Sequence, residues 1–233
     1  LDNIDENAAK EKNIRVINAV EGAMNAVAEL VIGLMLSMAR EIPRADREVR
    51  NGNWIKKELM GRELSGKYLG IVGLGNIGKK LARHAKSLNM NIIGYDVIPI
   101  DEEFSKEVGL MKADLDTLLS SSDYVSLHVP LLESTHHMIN NEKLKLMKKT
   151  ACIINAARGG VIDEDALYNS LKEGNLANAA LDVFEAEPAT GNKLTTLPNF
   201  IATPHIGAQT KEAQSLAANI IAEKIIQILR GVI

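Results

Sequence analysis

The sequence is short of cysteine and of aromatic side chains. One cysteine, Cys152, stands among 233 residues, so no internal disulfide can form. Its neighbours Ala151, Ile153 and Ile154 make it read as a small buried apolar residue, which fits a reducing, cytoplasmic setting. With one Trp, three Phe and four Tyr, the core has to be built from Val, Ile, Leu, Ala and Met. An excess of one charge is missing too. The net charge is −3, so nothing suggests binding to nucleic-acid phosphates or to an anionic membrane surface. The longest apolar run, Val27 to Ala39, contains Glu29 and Ser37 and is too short to span a bilayer. No secretory signal, internal repeat or low-complexity tract is expected. The sequence starts at Leu1 rather than Met, which reads as a fragment or a processed chain.

What is present is an ordinary globular mixture, long enough for one large core with a small appendage. A first long helix is expected from about Met24 to Arg50. It is apolar on nearly every face at its start, with Glu29 as a satisfied structural carboxylate, and Pro43 kinks or divides it. Arg44 to Gly52 reads as solvated. After Gly66 short apolar runs recur at Tyr68–Val72, Asn91–Tyr95, Tyr124–Leu127, Ala151–Ile154, Ala179–Val183 and Phe200–Thr203. Helical spacing follows the first of them, at Ile77, Leu81, Ala82, Ala85 and Leu88, and recurs at Glu142–Met147 and Glu164–Lys172. Strands alternating with helices predict a Rossmann-type, doubly wound parallel sheet of the α/β class. An amphipathic helix, Lys211 to Arg230, closes the chain.

Gly73-Leu74-Gly75-Asn76-Ile77-Gly78 has the Gly-x-Gly-x-x-Gly pattern. Alone it is a weak signal; a strand before it and a periodic helix after it strengthen it. Gly73 permits the tight turn, Gly75 lets backbone approach a pyrophosphate, and Gly78 lets helix and strand pack closely. The helix N-terminus then offers free N–H groups to the phosphates. Asp96 ends the second strand, 18 residues beyond Gly78 (96 − 78). A carboxylate there can accept bonds from ribose hydroxyls and repels a 2′-phosphate, and no Lys or Arg follows in Val97–Ile100. NAD is therefore expected rather than NADP.

Arg158, Glu187 and His205 each stand just after an expected strand. Ligands of a parallel sheet bind outside the carboxyl ends of its strands, so all three can converge beside a nicotinamide. Oxidising a hydroxy acid needs a base for the hydroxyl proton while a hydride leaves for the cofactor. His205 suits the base, Glu187 suits the group that fixes its tautomer, and Arg158 can fork onto a substrate carboxylate. Each residue alone has a bland reading as a loop or surface group; their joint placement behind a dinucleotide loop carries the signal. Paired histidines at His136-His137 hint at metal, but adjacent residues do not share a helix face and no ligand pattern surrounds them, so no metal is expected.

These blocks resemble the D-2-hydroxyacid dehydrogenases. The likeness runs from Asp2-Asn3-Ile4-Asp5 through Leu64–Gly78, Asn155–Asp163, Ala180–Pro188 and Thr203–Ala208. It implies Arg158 as substrate anchor and His205 with Glu187 as the acid–base pair. It also implies cofactor contacts from Asn76, Ile77, Ala156 and Gly207, from Asp182 to the nicotinamide carboxamide, from His128-Val129-Pro130 on the adenine side, and from Thr135. Asn25 would lie near the substrate and nicotinamide; His128 would line the cofactor loop and take no part in proton transfer. Within the family, Thr203 to Gln214 is most similar to members that oxidise 3-phosphoglycerate at the head of serine synthesis. Glyoxylate or hydroxypyruvate reductases, D-lactate dehydrogenases and an NAD-sensing module without turnover are the alternatives. Family members carry a first, substrate-binding lobe; residues 1–22 would be its end, 23–205 the NAD-binding domain, and 206–233 a helix returning toward that lobe. No further domain is expected after Ile233. A chain without the closing lobe should bind NAD and turn over poorly. The apolar helix Met24–Ala39 and the arm to Trp54 resemble the family's contact between two copies, which implies a homodimer.

Overall fold

The structure, a computed structural model, describes residues 4–231; Asp2 and Asn3 of the first family block lie outside them. Among the described residues seven strands form one sheet: β1 (Tyr68–Val72), β2 (Asn91–Tyr95), β3 (Met111–Lys112), β4 (Tyr124–Leu127), β5 (Cys152–Asn155), β6 (Asn178–Leu181) and β7 (Phe200–Ala202). Nine α-helices accompany them: α1 (Glu6–Glu11), α2 (Met24–Ala39), α3 (Ile42–Arg50), α4 (Asn76–Ser87), α5 (Glu102–Val108), α6 (Leu115–Ser121), α7 (Asn141–Leu146), α8 (Glu164–Lys172) and α9 (Lys211–Leu229). The strand order is β3-β2-β1-β4-β5-β6-β7. Every pairing is parallel, with Gly70 opposite Ile93 on one side and Val125 on the other.

A parallel sheet needs cover on both faces, and its strands read as continuous apolar runs for that reason. Side chains alternate between the faces. Leu69, Ile71, Ile92, Cys152 and Ile154 join a core with Val31 and Met35 of α2 and Leu81 and Ala85 of α4. Val72, Ile93, Val125, Leu127 and Ile153 join the opposite core, with Leu118 of α6, Leu144 of α7 and Leu167 of α8. The strand order reverses between β1 and β4. Connections leave this point in opposite directions, which opens a crevice at the carboxyl ends.

Three sequence expectations need correction. The first helix is two: α2 ends at Ala39, and Glu41 takes a left-handed φ of 50° before α3 starts. Pro43 sits in the first turn of α3, where its missing N–H costs nothing, so the division precedes the proline. Glu29 is satisfied, as expected, by a bond from Asn25, on an exposed side of α2. The turn Val20–Ala23 joins α2 into a 20-residue segment apolar and long enough, by length and composition, to cross a membrane. Its Ala28, Val31 and Met35 are nevertheless fully buried against the protein, as in a core helix. The strands expected at Ala151–Ile154, Ala179–Val183 and Phe200–Thr203 are shorter or shifted by a residue or two.

The helices α5 and α6 and the edge strand β3 were not expected. Asp101 and Asp114 accept the N–H groups of Phe104 (2.7 Å) and Thr117 (2.8 Å), the capping signal that would have revealed both helices. The closing helix α9 buries only Ala213 within this chain and leaves Leu216, Ile225, Ile226 and Leu229 exposed. It is tied to the segment before α2 by Lys224, which donates to the Asn18 carbonyl (2.8 Å) and to Glu21 Oε1 (3.1 Å).

Candidate active site

The glycine loop lies between β1 and α4. Gly73 has φ 93°, a left-handed conformation that side chains resist. A Cβ on Gly78 would sit 2.1 Å from the Gly73 carbonyl oxygen, so α4 can enter this close to β1 only without a side chain there. A Cβ on Gly75 would meet nothing within 4 Å, so the loop backbone faces open space at the N-terminus of α4. That is the cradle a pyrophosphate needs: bare backbone and the unpaired N–H groups of a first helical turn. The residues present fit a dinucleotide.

Beside the loop a cleft of about 580 Å³ is lined by Asp96, Val97, Ile98, Pro99 and Ile100, with Lys112, Ala113 and Asp114 opposite. Asp96 already accepts the N–H groups of Leu74 (2.6 Å) and Ile98 (2.9 Å). It therefore fixes the glycine loop as well as facing the cleft. Its carboxylate still has acceptor capacity for ribose hydroxyls, since two oxygens carry about four acceptor positions. Lys112, a cation the sequence around Asp96 gave no hint of, reaches this cleft from β3 and is paired with Glu102. Asp96→Ala is expected to weaken NADH binding roughly tenfold or more, read by fluorescence titration, because charge-assisted bonds are worth about 1.5–3 kcal/mol. An unchanged Kd would remove Asp96 from the site.

A second cleft, of about 380 Å³, brings together Ile77, His128, Val129, Pro130, Ala156, Arg158, Asp182, His205 and Gly207, closed on one side by Val20, Ala23 and Val27. His128-Val129-Pro130 thus line this cleft and not the one beneath Asp96. Asn25 lies outside its lining, bonded to Glu29 on the exposed side of α2. Thr135 is also outside it; its hydroxyl donates to the Pro130 carbonyl (2.6 Å) and accepts from the Leu132 N–H (2.8 Å), which braces the 130–135 loop.

His205 sits after β7 with φ 54°. The strained conformation is held by the fully buried Asp182. Its backbone carbonyl accepts the His205 N–H (2.8 Å), and its carboxylate takes Thr203 Oγ1 (2.6 Å), the Ile206 N–H (2.9 Å) and the Gly207 N–H (2.8 Å). Asp182 therefore builds the turn that presents His205, a role the expected carboxamide contact did not include. His205 Nδ1 meets Glu187 Oε2 at 2.8 Å, and Glu187 Oε1 accepts the Phe184 N–H at 3.1 Å. Burial pushes the Glu187 carboxyl up. The bonds from His205 and Phe184, with the nearby His205 and Arg158 charges, outweigh that and hold it below the ordinary carboxylate value. Arg158 follows β5, on a turn fixed by Asn155, whose side chain donates to the Arg158 carbonyl (2.8 Å) and accepts the Ala157 N–H (3.0 Å).

His128 is half-buried at the cleft wall: Nε2 shares a bond with Ser126 Oγ (2.9 Å), Nδ1 is inaccessible and has no partner among the described residues, and burial pushes its pKa down to about 4. A folded value below the unfolded 6.5 means that the unfolded chain binds the proton first. Stability from keeping this ring neutral is full above pH 6.5 and is lost as the pH falls toward 4. The difference is worth up to about 3 kcal/mol, at about 1.4 kcal/mol per pH unit. Denaturant unfolding should show this slope in the wild type and lack it in His128→Gln; equal slopes would contradict the assignment. Cys152 is buried and its thiol is pushed up to about 11 by that burial, so no reactive thiolate forms at neutral pH. His136 and His137 stack at 4.0 Å, although adjacent in sequence, because they occupy a turn and not a helix.

The glycine loop at a topological switch point, the acidic end of β2 and the cleft at the strand ends define a dinucleotide-binding domain of the Rossmann class. The chain belongs to the D-isomer specific 2-hydroxyacid dehydrogenases: residues 32–207 match the NAD binding domain of that family. It is 50% identical to the D-3-phosphoglycerate dehydrogenase of Methanocaldococcus jannaschii over 232 residues, 99% of this chain and 44% of that protein. It is 49% identical to the hydroxypyruvate reductase of Thermotoga maritima over 228 residues, 97% of this chain and 73% of that protein. Among solved structures, D-lactate dehydrogenase from Aquifex aeolicus, complexed with NAD and lactic acid, superposes with a TM-score of 0.88 at 33% identity. The match covers 100% of this chain and 74% of that one. The chain thus spans less than half the length of the phosphoglycerate dehydrogenase it matches. NAD is the cofactor of this domain family.

Proposed function

We propose that the chain is the cofactor-holding part of an enzyme that moves a hydride between NAD and C2 of a D-2-hydroxy acid. Residues 23–205 form the NAD-binding domain in this reading, 1–22 the end of a substrate domain, and 206–233 a helix returning to it. The observation that carries it is the 2.8 Å contact of His205 Nδ1 with Glu187 Oε2, at the edge of a cleft that also holds Arg158. With Nδ1 engaged by the carboxylate, Nε2 is the nitrogen left for the substrate. Arg158 receives the substrate carboxylate through two parallel N–H bonds. His205 Nε2 takes the C2 hydroxyl proton in the oxidation direction and returns it in the reduction. Glu187 stabilises the imidazolium that forms. When bound, the cofactor would supply the hydride acceptor as NAD in the oxidation and the hydride donor as NADH in the reduction.

The preferred substrate is 3-phosphoglycerate, oxidised to 3-phosphohydroxypyruvate for serine synthesis. The Thr203–Gln214 segment and the relative from M. jannaschii support that choice. The nearly equal identity to a hydroxypyruvate reductase keeps glycerate as the competing substrate. Steady-state assays of the full-length gene product with NAD and 3-phosphoglycerate, glycerate or D-lactate test it. Highest kcat/KM is expected for 3-phosphoglycerate; a preference for another acid overturns the substrate, and turnover of none overturns the class. The enzyme is a cytoplasmic homodimer in this reading. Leu36, Ile42, Val49, Trp54 and Met60 are exposed along α2, α3 and the following arm, an apolar set that a second copy would cover. A dimer mass by light scattering is expected.

A further inference from the structure

The groups assigned to substrate binding and proton transfer stand on separate loops. Arg158 follows β5, and Glu187 follows β6. The His205–Glu187 pair and the Arg158 guanidinium can serve the same small substrate only if these loops keep a fixed spacing. The loops touch: a Cβ on Gly159 would lie 1.8 Å from the Phe184 carbonyl oxygen. That contact limits approach but does nothing to stop separation.

Separation is opposed by a reciprocal pair of bonds. Glu164, the first residue of α8, follows the Arg158 loop; its Oε1 accepts the N–H of Glu185 (2.7 Å). Glu185, two residues before Glu187, accepts the N–H of Glu164 through its own Oε1 (3.1 Å). Each backbone thus donates to the other residue's side chain. His137 adds a third arm: its Nε2 meets Glu185 Oε1 at 2.9 Å, while its backbone N–H donates to the Gly160 carbonyl (2.7 Å). Asn192 holds the remaining Glu164 oxygen (2.6 Å). The positive end of α8 favours a carboxylate at both positions. Capping α8 does not require the arrangement, because Asp163 already accepts the Ala166 N–H (2.9 Å).

We propose that Glu164, Glu185 and His137 are positioning residues that fix the Glu187 loop against the Arg158 loop. The proposal rests on the hydride-transfer reading above. None of the three lines the cleft of Arg158 and His205, so they act through the loops and not on substrate.

The test uses the full-length gene product with Glu164→Ala, Glu164→Gln and Glu185→Ala, measuring kcat, KM and the NADH Kd. Glu164→Ala should lower kcat roughly tenfold, the scale of a small misalignment of reacting groups, with the NADH Kd unchanged within about twofold. Glu164→Gln should recover part of the rate, because its amide oxygen still accepts the Glu185 N–H although its NH2 cannot accept from Asn192. Glu185→Ala, at an exposed position, should lower kcat in the same way and carries the test if Glu164→Ala does not fold. A kcat near wild type in either alanine variant overturns the proposal. So does a Glu164→Gln variant as slow as Glu164→Ala, or a loss confined to NADH binding. A wild type inert toward every hydroxy acid would instead sink the hydride-transfer reading.

Discussion

Replacing His205 by Asn is expected to lower kcat at least about a hundredfold, the usual worth of general acid–base catalysis. Asn preserves a polar group on the strained turn that Asp182 holds, so the loop should keep its shape. What it removes is the nitrogen that takes the proton. NADH binding should stay within a few-fold, because the glycine loop and Asp96 are untouched. A loss of less than about tenfold would mean that another group moves the proton. The partner carboxylate sets the acid side. Glu187 has a folded pKa below its ordinary value, so its contribution to stability is fully present above about pH 4.3. It is lost as the pH falls through the lowered folded value, and neutral solution leaves the pair intact.

Gly78→Ala is expected to be the most damaging single-methyl change in the cofactor loop. The new Cβ would sit 2.1 Å from the Gly73 carbonyl oxygen and 3.2 Å from Ile71 Cγ2. Neither the backbone of a turn at φ 93° nor a buried strand side chain can yield cheaply. Helix α4 must retreat from β1, which costs roughly 1–3 kcal/mol of stability as overpacking. The same retreat carries the helix N-terminus away from the pyrophosphate, so NADH affinity should fall by more than tenfold, on the order of the 1.4 kcal/mol that such a factor represents. Chemical denaturation and NADH titration read the two effects separately. Gly75→Ala is the control: its Cβ meets nothing, so stability should hold. Wild-type affinity and stability in Gly78→Ala would show that the close approach of α4 is not required.

The sheet was legible because its strands are unbroken apolar runs and its cofactor loop is a local signal with a local cause. The elements missed were those decided by side-chain caps. Asp101 and Asp114 mark α5 and α6, but each helix is seven residues, about two turns, shorter than the window of about 11 or more over which helical spacing is read. β3 has two residues and no pattern to read. The site was legible to the extent that each residue followed a strand end. Arg158, Glu187 and His205 were singled out in this way, and the structure brings Arg158 and His205 to one cleft with Glu187 bonded to His205. Asp182 was recognised only as a contact to the cofactor, because its three bonds to Thr203, Ile206 and Gly207 join segments more than 20 residues apart. The Glu164–Glu185 pair was invisible for the same reason: nothing local in either residue says that it bonds the other's backbone. Thr135 and Asn25 were placed by resemblance alone, and each is engaged by a neighbour on its own segment.

The central claim is hydride transfer at C2 of a D-2-hydroxy acid, and isotope tracing tests it most directly. The full-length gene product would be given NADH deuterated at the transferable position together with 3-phosphohydroxypyruvate, hydroxypyruvate or pyruvate. Deuterium is expected at C2 of a product with the D configuration, with the transfer slowed at least about a hundredfold in His205→Asn. Deuterium absent from C2 of every product, in a protein that binds NADH, would contradict the account.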